Sequence, residues 1–199
     1  MSEQSGKRVN KAKARLQRRA EAMEAQRQEA REEVSAMPDH KSIEASKVAS
    51  KVKARSLEEF DIKADGHCLY SAFADQLGLH RNLQVDYKEL RKQTASFIRE
   101  HSDDFSPFLQ FEAGEPVTVE AYAKEIEETA RWGGEMEILA LARKFEVSVS
   151  VVQAAGDDLV YEGKHETKLS LARYQHMYSL GAHFNSLRPM TRPITTAED

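Results

Sequence analysis

The stretch IKADGHCLYSAFADQL, Ile62 to Leu77, carries the one cysteine of this 199-residue chain, Cys68. Just before it, FDIKA alternates Phe60, Ile62 and Ala64 with Asp61 and Lys63, the pattern of a short strand. After it, HCLYSAFADQLGL places Leu69, Phe73 and Leu77 at four-residue spacing with Gly78 beyond, which predicts a helix ending at the glycine. Cys68 therefore falls in the first turn of a helix that follows a strand. The unpaired N–H groups and the positive dipole end at that position favour a thiolate and lower its pKa from about 8.5. Gly66 allows a sharp turn. The backbone N–H groups of Gly66, His67 and Cys68 could converge as an oxyanion hole. From these residues alone a second reading stands equally: a small, buried, apolar cysteine.

A thiol nucleophile needs a base. HFNSL, late in the chain, reads as a strand, and in a strand His183 and Asn185 share a face. An Asn at that distance can bond Nδ1 of the histidine and leave Nε2 to take the thiol proton. His40, His80, His101 and His165 lie in polar contexts that suit solvated side chains. His67 adjoins Cys68 but points elsewhere on a helix. His176, read on a strand with Tyr174 and Tyr178, fits a structural role.

Around this pair the chain is organised as helices first and strands later. DYKELRKQTASFIREHS is amphipathic, with Leu90, Thr94, Phe97 and Ile98 on one face. DDFSPFLQF is a short helix or loop. TVEAYAKEIEETA opens with a Thr cap, and GGEMEILALARKF follows a Gly-Gly hinge. VSVSVVQ, DLVYEG, RYQHMYSL and HFNSL are short and rich in β-branched or aromatic residues, as strands of one sheet are. That order describes an α+β domain.

The N-terminal segment has another texture. Residues 8–36 contain no Gly or Pro and few large apolar side chains. They predict a solvated helix that builds no core. Residues 1–20 hold Lys7, Arg8, Lys11, Lys13, Arg15, Arg18 and Arg19 against Glu3 alone, while the whole chain has a net charge of -4. A basic arm thus precedes an acidic body. Residues 1–50 are read as an RNA or ribosome contact, as a plain solvated helix, or as a segment regulating access to the domain. One cysteine excludes an intramolecular disulfide and fits a reducing compartment. The N-terminus lacks the apolar run of a secretory signal. No window approaches the roughly 18 apolar residues of a membrane span. The expected location is the cytoplasm, with the nucleus also open to it. No HExxH, paired cysteines or phosphate loop occurs, so no metal or cofactor is expected.

Three motifs together, DGHCLYSAF, RWGGEMEILALARKFEVSVSVV and YSLGAHFNSL, resemble the ovarian-tumour (OTU) family of cysteine deubiquitinases. The likeness is strongest to the subgroup with a helical N-terminal extension. It spans about residues 55–190. It implies a papain-like fold with a small, mostly antiparallel sheet between helical regions. The domains would be a charged helical extension over 1–54, the catalytic domain over 55–190 and a tail over 191–199. Cys68 would be the nucleophile, His183 the base and Asn185 the residue orienting it. Asp65 would open the cysteine loop and brace it. The reaction implied is hydrolysis of isopeptide bonds at the ubiquitin C-terminus, and the partners are ubiquitin or polyubiquitin conjugates. A silent ubiquitin-binding scaffold on the same fold is the alternative. The ubiquitin tail ends Leu-Arg-Gly-Gly and suits a slot too narrow for side chains. Trp132, Gly133, Gly134 and Glu135 would line it, with the glutamate facing an arginine of the tail.

Overall fold

The structure is a computed structural model that describes residues 23–24, 27–28, 39–109, 117–176 and 182–190. The chain divides into two units, Met1–Asp39 and His40–Asp199. Of the first, Met23, Glu24, Arg27, Gln28 and Asp39 are described; all are exposed, and the first four are helical. The rest of the helix expected over 8–36, the basic arm as an RNA or ribosome contact, the tail over 191–199 and the stretch 177–181 lie outside the described residues.

The second unit begins with helix α1, His40–Ala54. Strand β1, Leu57–Phe60, precedes helix α2, Cys68–Arg81. Helices α3, Tyr87–Glu100, and α4, Ser102–Leu109, follow. Then come α5, Val119–Glu128, and α6, Glu135–Phe145. The remaining strands are β2, Ser148–Gln153, β3, Leu159–Tyr161, β4, Lys168–Tyr174, and β5, His183–Pro189. They form one sheet in the order β1-β5-β4-β2-β3. Among the described residues the β2–β4 pair is parallel and the other neighbours are antiparallel.

The two-residue period of the strands explains how the sheet is covered. Val149 and Val151 of β2 and Leu169 and Leu171 of β4 join the main core with Leu69, Phe73 and Leu77 of α2. Val152, Ala172, Tyr174 and Leu187 lie in a second cluster with Val48 and Val52 of α1. Central strands buried on both faces read as near-continuous apolar runs. This is why α1 belongs to the compact unit, which starts at His40. Without α1 that second face of the sheet would meet water.

Three local expectations are corrected. FDIKA is not the strand: β1 ends at Phe60, and the Ile62 N–H donates to the side chain of Asn185 at 3.0 Å rather than to a strand. Nor does RYQHMYSL hold a strand as read, because β4 ends at Tyr174. The next two N–H groups, of Gln175 and His176, donate to the buried Glu44 carboxylate of α1 at 2.6 and 2.8 Å. His176 is therefore not on a strand. Gly78 lies inside α2, which ends at Arg81 and is capped by Asn82 in the left-handed region with φ 51°.

Gln76 fastens α2 to the sheet. It is fully buried; its Nε2 donates to Ser186 Oγ at 2.8 Å and to the Leu187 carbonyl at 2.7 Å. Its Oε1 accepts the Ser170 N–H at 2.7 Å. Gln76→Leu leaves a buried N–H and a buried carbonyl without partners. It is expected to cost roughly 2–5 kcal/mol, read as a lower urea midpoint at unchanged slope.

Candidate active site

The cysteine loop holds itself before it holds anything else. Asp65 Oδ1 accepts the His67 N–H at 2.8 Å, and the Asp65 carbonyl accepts the Cys68 N–H at a long 3.3 Å. Lys63 sits 3.7 Å from the other Asp65 oxygen. The His67 N–H is thus committed to a carboxylate, so it is not available as an oxyanion donor. Gly66 is required by contact: a Cβ there would fall 2.3 Å from the Ala130 carbonyl oxygen. The loop delivers Cys68 as the first residue of α2, where it is 3% exposed. Its sulfur lies within hydrogen-bond reach of the Phe184 N–H of β5. Cys68 and the strand carrying His183 thus meet at one point.

His183 and Asn185 are both buried on β5. Asn185 Oδ1 lies 2.9 Å from His183 Nε2 and also accepts the Ile62 N–H at 3.0 Å. Asn185 Nδ2 faces two carboxylates, Glu59 Oε2 at 3.1 Å and Asp61 Oδ1 at 3.4 Å. The amide orientation follows, because an N–H donor on one side and carboxylates on the other leave no alternative. An amide oxygen only accepts, so Nε2 carries the proton and Nδ1 the lone pair. This reverses the expected use of the two ring nitrogens. Residues two apart on a strand are separated by about 6.6 Å, a gap the distal nitrogen spans.

Burial decides the resting protonation. It pushes the Cys68 thiol up, and the N–H groups of Phe184, Leu69 and Cys68 itself only partly pull it back. The expected lowering by the helix start is therefore outweighed. Burial also pushes His183 down, against the Asn185 hydrogen bond and the charges of Asp61, Asp65 and Glu59. Both shifts favour a neutral thiol beside a neutral imidazole near pH 7.

The segment between α5 and α6 forms the neighbouring wall. Gly133 packs so closely on α2 that a Cβ would stand 2.5 Å from Leu69 Cδ2. The Gly134 N–H donates to Glu137 Oε2 at 2.6 Å, and Glu137 is itself buried and bonded to the Tyr122 hydroxyl at 2.5 Å. The bareness of this Gly-Gly pair is thus used at least partly by the fold. Trp132 is half-buried, and Glu135 is exposed, 3.6 Å from Arg173.

Sequence reading missed Glu59, Asp61 and Arg91. Arg91 could have been found, since it stands among Leu90, Thr94 and Ile98 on the inner face of α3 yet is 2% exposed. The two acidic residues carry no such signal, because their partner lies more than 120 positions away. Among the described residues no three of His, Cys, Asp and Glu converge as a metal would need. Among them also, no helix is long and apolar enough to cross a membrane.

A family model of OTU-like cysteine proteases matches residues 63–184. The chain belongs to this family. It is 38% identical to OTU domain-containing protein 2 of Saccharomyces cerevisiae, over 88% of this chain and 59% of that protein. It is 36% identical to ubiquitin thioesterase otu2 of Schizosaccharomyces pombe, over 93% and 63% of the two. It is 35% identical to deubiquitinase OTUD6B of Mus musculus, over 94% and 66%. The chain thus spans about three-fifths to two-thirds of the length of these relatives. The fold is that of the OTU domain of OTUD1, with TM-score 0.57, 23% identity and coverage of 75% of this chain and 97% of that one. It is also similar to an OTU deubiquitinase from Wolbachia pipientis wMel bound to ubiquitin, with TM-score 0.55, 17% identity and coverage of 68% and 98%.

The raised thiol pKa has a direct consequence in the free protein. Alkylation of Cys68 by iodoacetamide is expected to be slow at pH 7 and still to be climbing above pH about 8.5, the ordinary cysteine value. Mass spectrometry of the alkylated fraction against pH reads it. A plateau already reached near pH 6 would contradict the neutral resting pair.

Proposed function

We propose that this chain is a cysteine-type deubiquitinase that hydrolyses isopeptide bonds at the ubiquitin C-terminus. The observation that carries this reading is the meeting of Cys68 with β5 beside a histidine whose tautomer Asn185 sets. Family membership supports it, as do relatives named ubiquitin thioesterase and deubiquitinase.

The lone pair on His183 Nδ1 takes the Cys68 proton as the sulfur attacks the carbonyl carbon of the terminal glycine. The imidazolium so formed keeps its Nε2–H on Asn185 Oδ1, and the Glu59 and Asp61 carboxylates behind Asn185 offset its charge. This use of charge matches its need, because the cation exists only during the reaction. The oxyanion draws on the backbone N–H groups of Gly66 and Cys68; the long contact of the latter to Asp65 is readily exchanged for a charged acceptor. Asp65 braces the loop meanwhile. The proton on Nδ1 passes to the departing lysine amine as the carbon–nitrogen bond breaks, leaving a thioester. Water, deprotonated by the same nitrogen, cleaves the thioester and restores the thiol. Trp132, Gly133, Gly134 and Glu135 border the path of the ubiquitin tail, and Glu135 exchanges Arg173 for an arginine of the tail.

Ubiquitin bearing a thiol-reactive group at its C-terminus tests the reading. The wild-type chain is expected to form one covalent adduct, Cys68→Ala none, and His183→Ala an adduct formed on the order of 100–10,000 times more slowly. Asn185→Ala is expected to slow labelling on the order of 10-fold, the loss of one hydrogen bond to a charged group. Absence of a wild-type adduct, or an adduct on Cys68→Ala, would contradict the proposal.

A further inference from the structure

Arg91 of α3 is a buried cation with no part in the steps above. Its Nε donates to His67 Nδ1 at 3.0 Å, and one Nη2 bond runs to the Gly66 carbonyl at 2.5 Å. Nη2 also reaches the Arg131 carbonyl at 2.8 Å, and Nη1 the Ile126 carbonyl at 2.9 Å. The guanidinium face lies 4.3 Å from the centre of the Tyr70 ring, on the helix that Cys68 begins. Three separate stretches of chain are therefore held by one planar group: the cysteine loop, the end of α5, and the run into Trp132.

The acceptors are three carbonyls and a neutral imidazole, not a carboxylate, so the arrangement is one of geometry more than of ion pairing. His67 fits it as a neutral ring. Its Nδ1 must keep a lone pair to accept from Arg91, burial and then the nearby cation hold its pKa down, and it stacks on Tyr87 at 4.2 Å. The clamp sits where the two walls touch, since Gly66 has no space for a Cβ against Ala130.

We propose that Arg91 is a positioning residue that fixes Cys68 relative to the segment leading into Trp132 and Gly133, so that the nucleophile and the substrate-tail wall keep one register. The inference rests on the deubiquitinase reading for its effect on turnover, but the clamp itself acts on Cys68 with or without ubiquitin. The fork shape of the guanidinium is what matters. A lysine keeps the charge but offers donors from a single point, and cannot span four acceptors on three segments.

The test is Arg91→Lys in the full chain, with the melting curve recorded first. At an assay temperature where the variant is folded, kcat for ubiquitin-conjugate hydrolysis is expected to fall on the order of 10–100-fold. In the same variant the pH profile of Cys68 alkylation by iodoacetamide is expected to move to lower pH, because a loosened loop admits water to the sulfur. Loss of stability alone would not move that profile in a folded protein. Wild-type kcat together with a wild-type alkylation profile overturns the clamp. If Arg91→Lys does not fold, His67→Phe serves: it keeps a ring on Tyr87 but removes one acceptor. It is expected to lower kcat about 3- to 10-fold and shift alkylation in the same direction, and wild-type values overturn the proposal. A wild-type chain that leaves ubiquitin conjugates uncut, while Arg91→Lys still shifts the alkylation profile, would sink the deubiquitinase reading and support the clamp.

Discussion

The guanidinium of Arg91 is the interaction on which the arrangement of this site depends. Taking a cation out of water is expensive, and it is tolerated only where the donors are satisfied. Here four of its N–H bonds end on acceptors from the cysteine loop, the last turns of α5 and the α5–α6 connection, and Tyr70 covers its face. Loops exist at the surface because their backbone groups need water. The two loops can lie against each other because a buried arginine takes water's place for a carbonyl on each, Gly66 and Arg131, and for Ile126 at the end of α5. The cost of burying the charge is therefore offset by the polar backbone it satisfies.

On the other side of the thiol the same logic runs through Asn185. Its oxygen accepts from His183 and from the Ile62 backbone, and its nitrogen donates to Glu59 and Asp61. Glu59 is in turn bonded to the Tyr174 hydroxyl at 2.5 Å, which ties β1 to β4 across β5. Three strands, β1, β4 and β5, and the segment after β1 thus converge on a histidine ring that could otherwise flip. The site is pre-organised by neutral and charged hydrogen bonds whose directions admit one tautomer. Burial of Cys68 pushes the pKa of its thiol up and so favours the protonated form at rest.

The sheet makes this convergence possible. Its central strands are apolar on both faces, and α1 covers the side that α2 does not. Helix α1 is polar over most of its surface, and Val48 and Val52 are its only fully buried apolar contacts. That sparseness is why its sequence reads as part of the extension. Its hold on the domain is supplemented by Glu44, whose carboxylate receives two backbone N–H groups beyond β4, and by Lys51, which donates to the Gln153 carbonyl at 2.7 Å.

Sequence alone determined much of this molecule. A thiol at the junction of turn and helix, a histidine and an asparagine two apart on a strand, and helices preceding strands were legible because each is a local pattern with a period or a cap. The positions of Cys68, His183 and Asn185 followed from such patterns, as did the inner face of α3. Tertiary structure decided what local patterns do not encode. It set which ring nitrogen faces Asn185, that the His67 N–H belongs to Asp65, that Gly133 is bare to admit Leu69, and that the thiol is raised rather than lowered. Each of these depends on burial or on a partner distant in the chain. Desolvation and hydrogen-bond direction belong to the packed interior, and only the folded chain creates it.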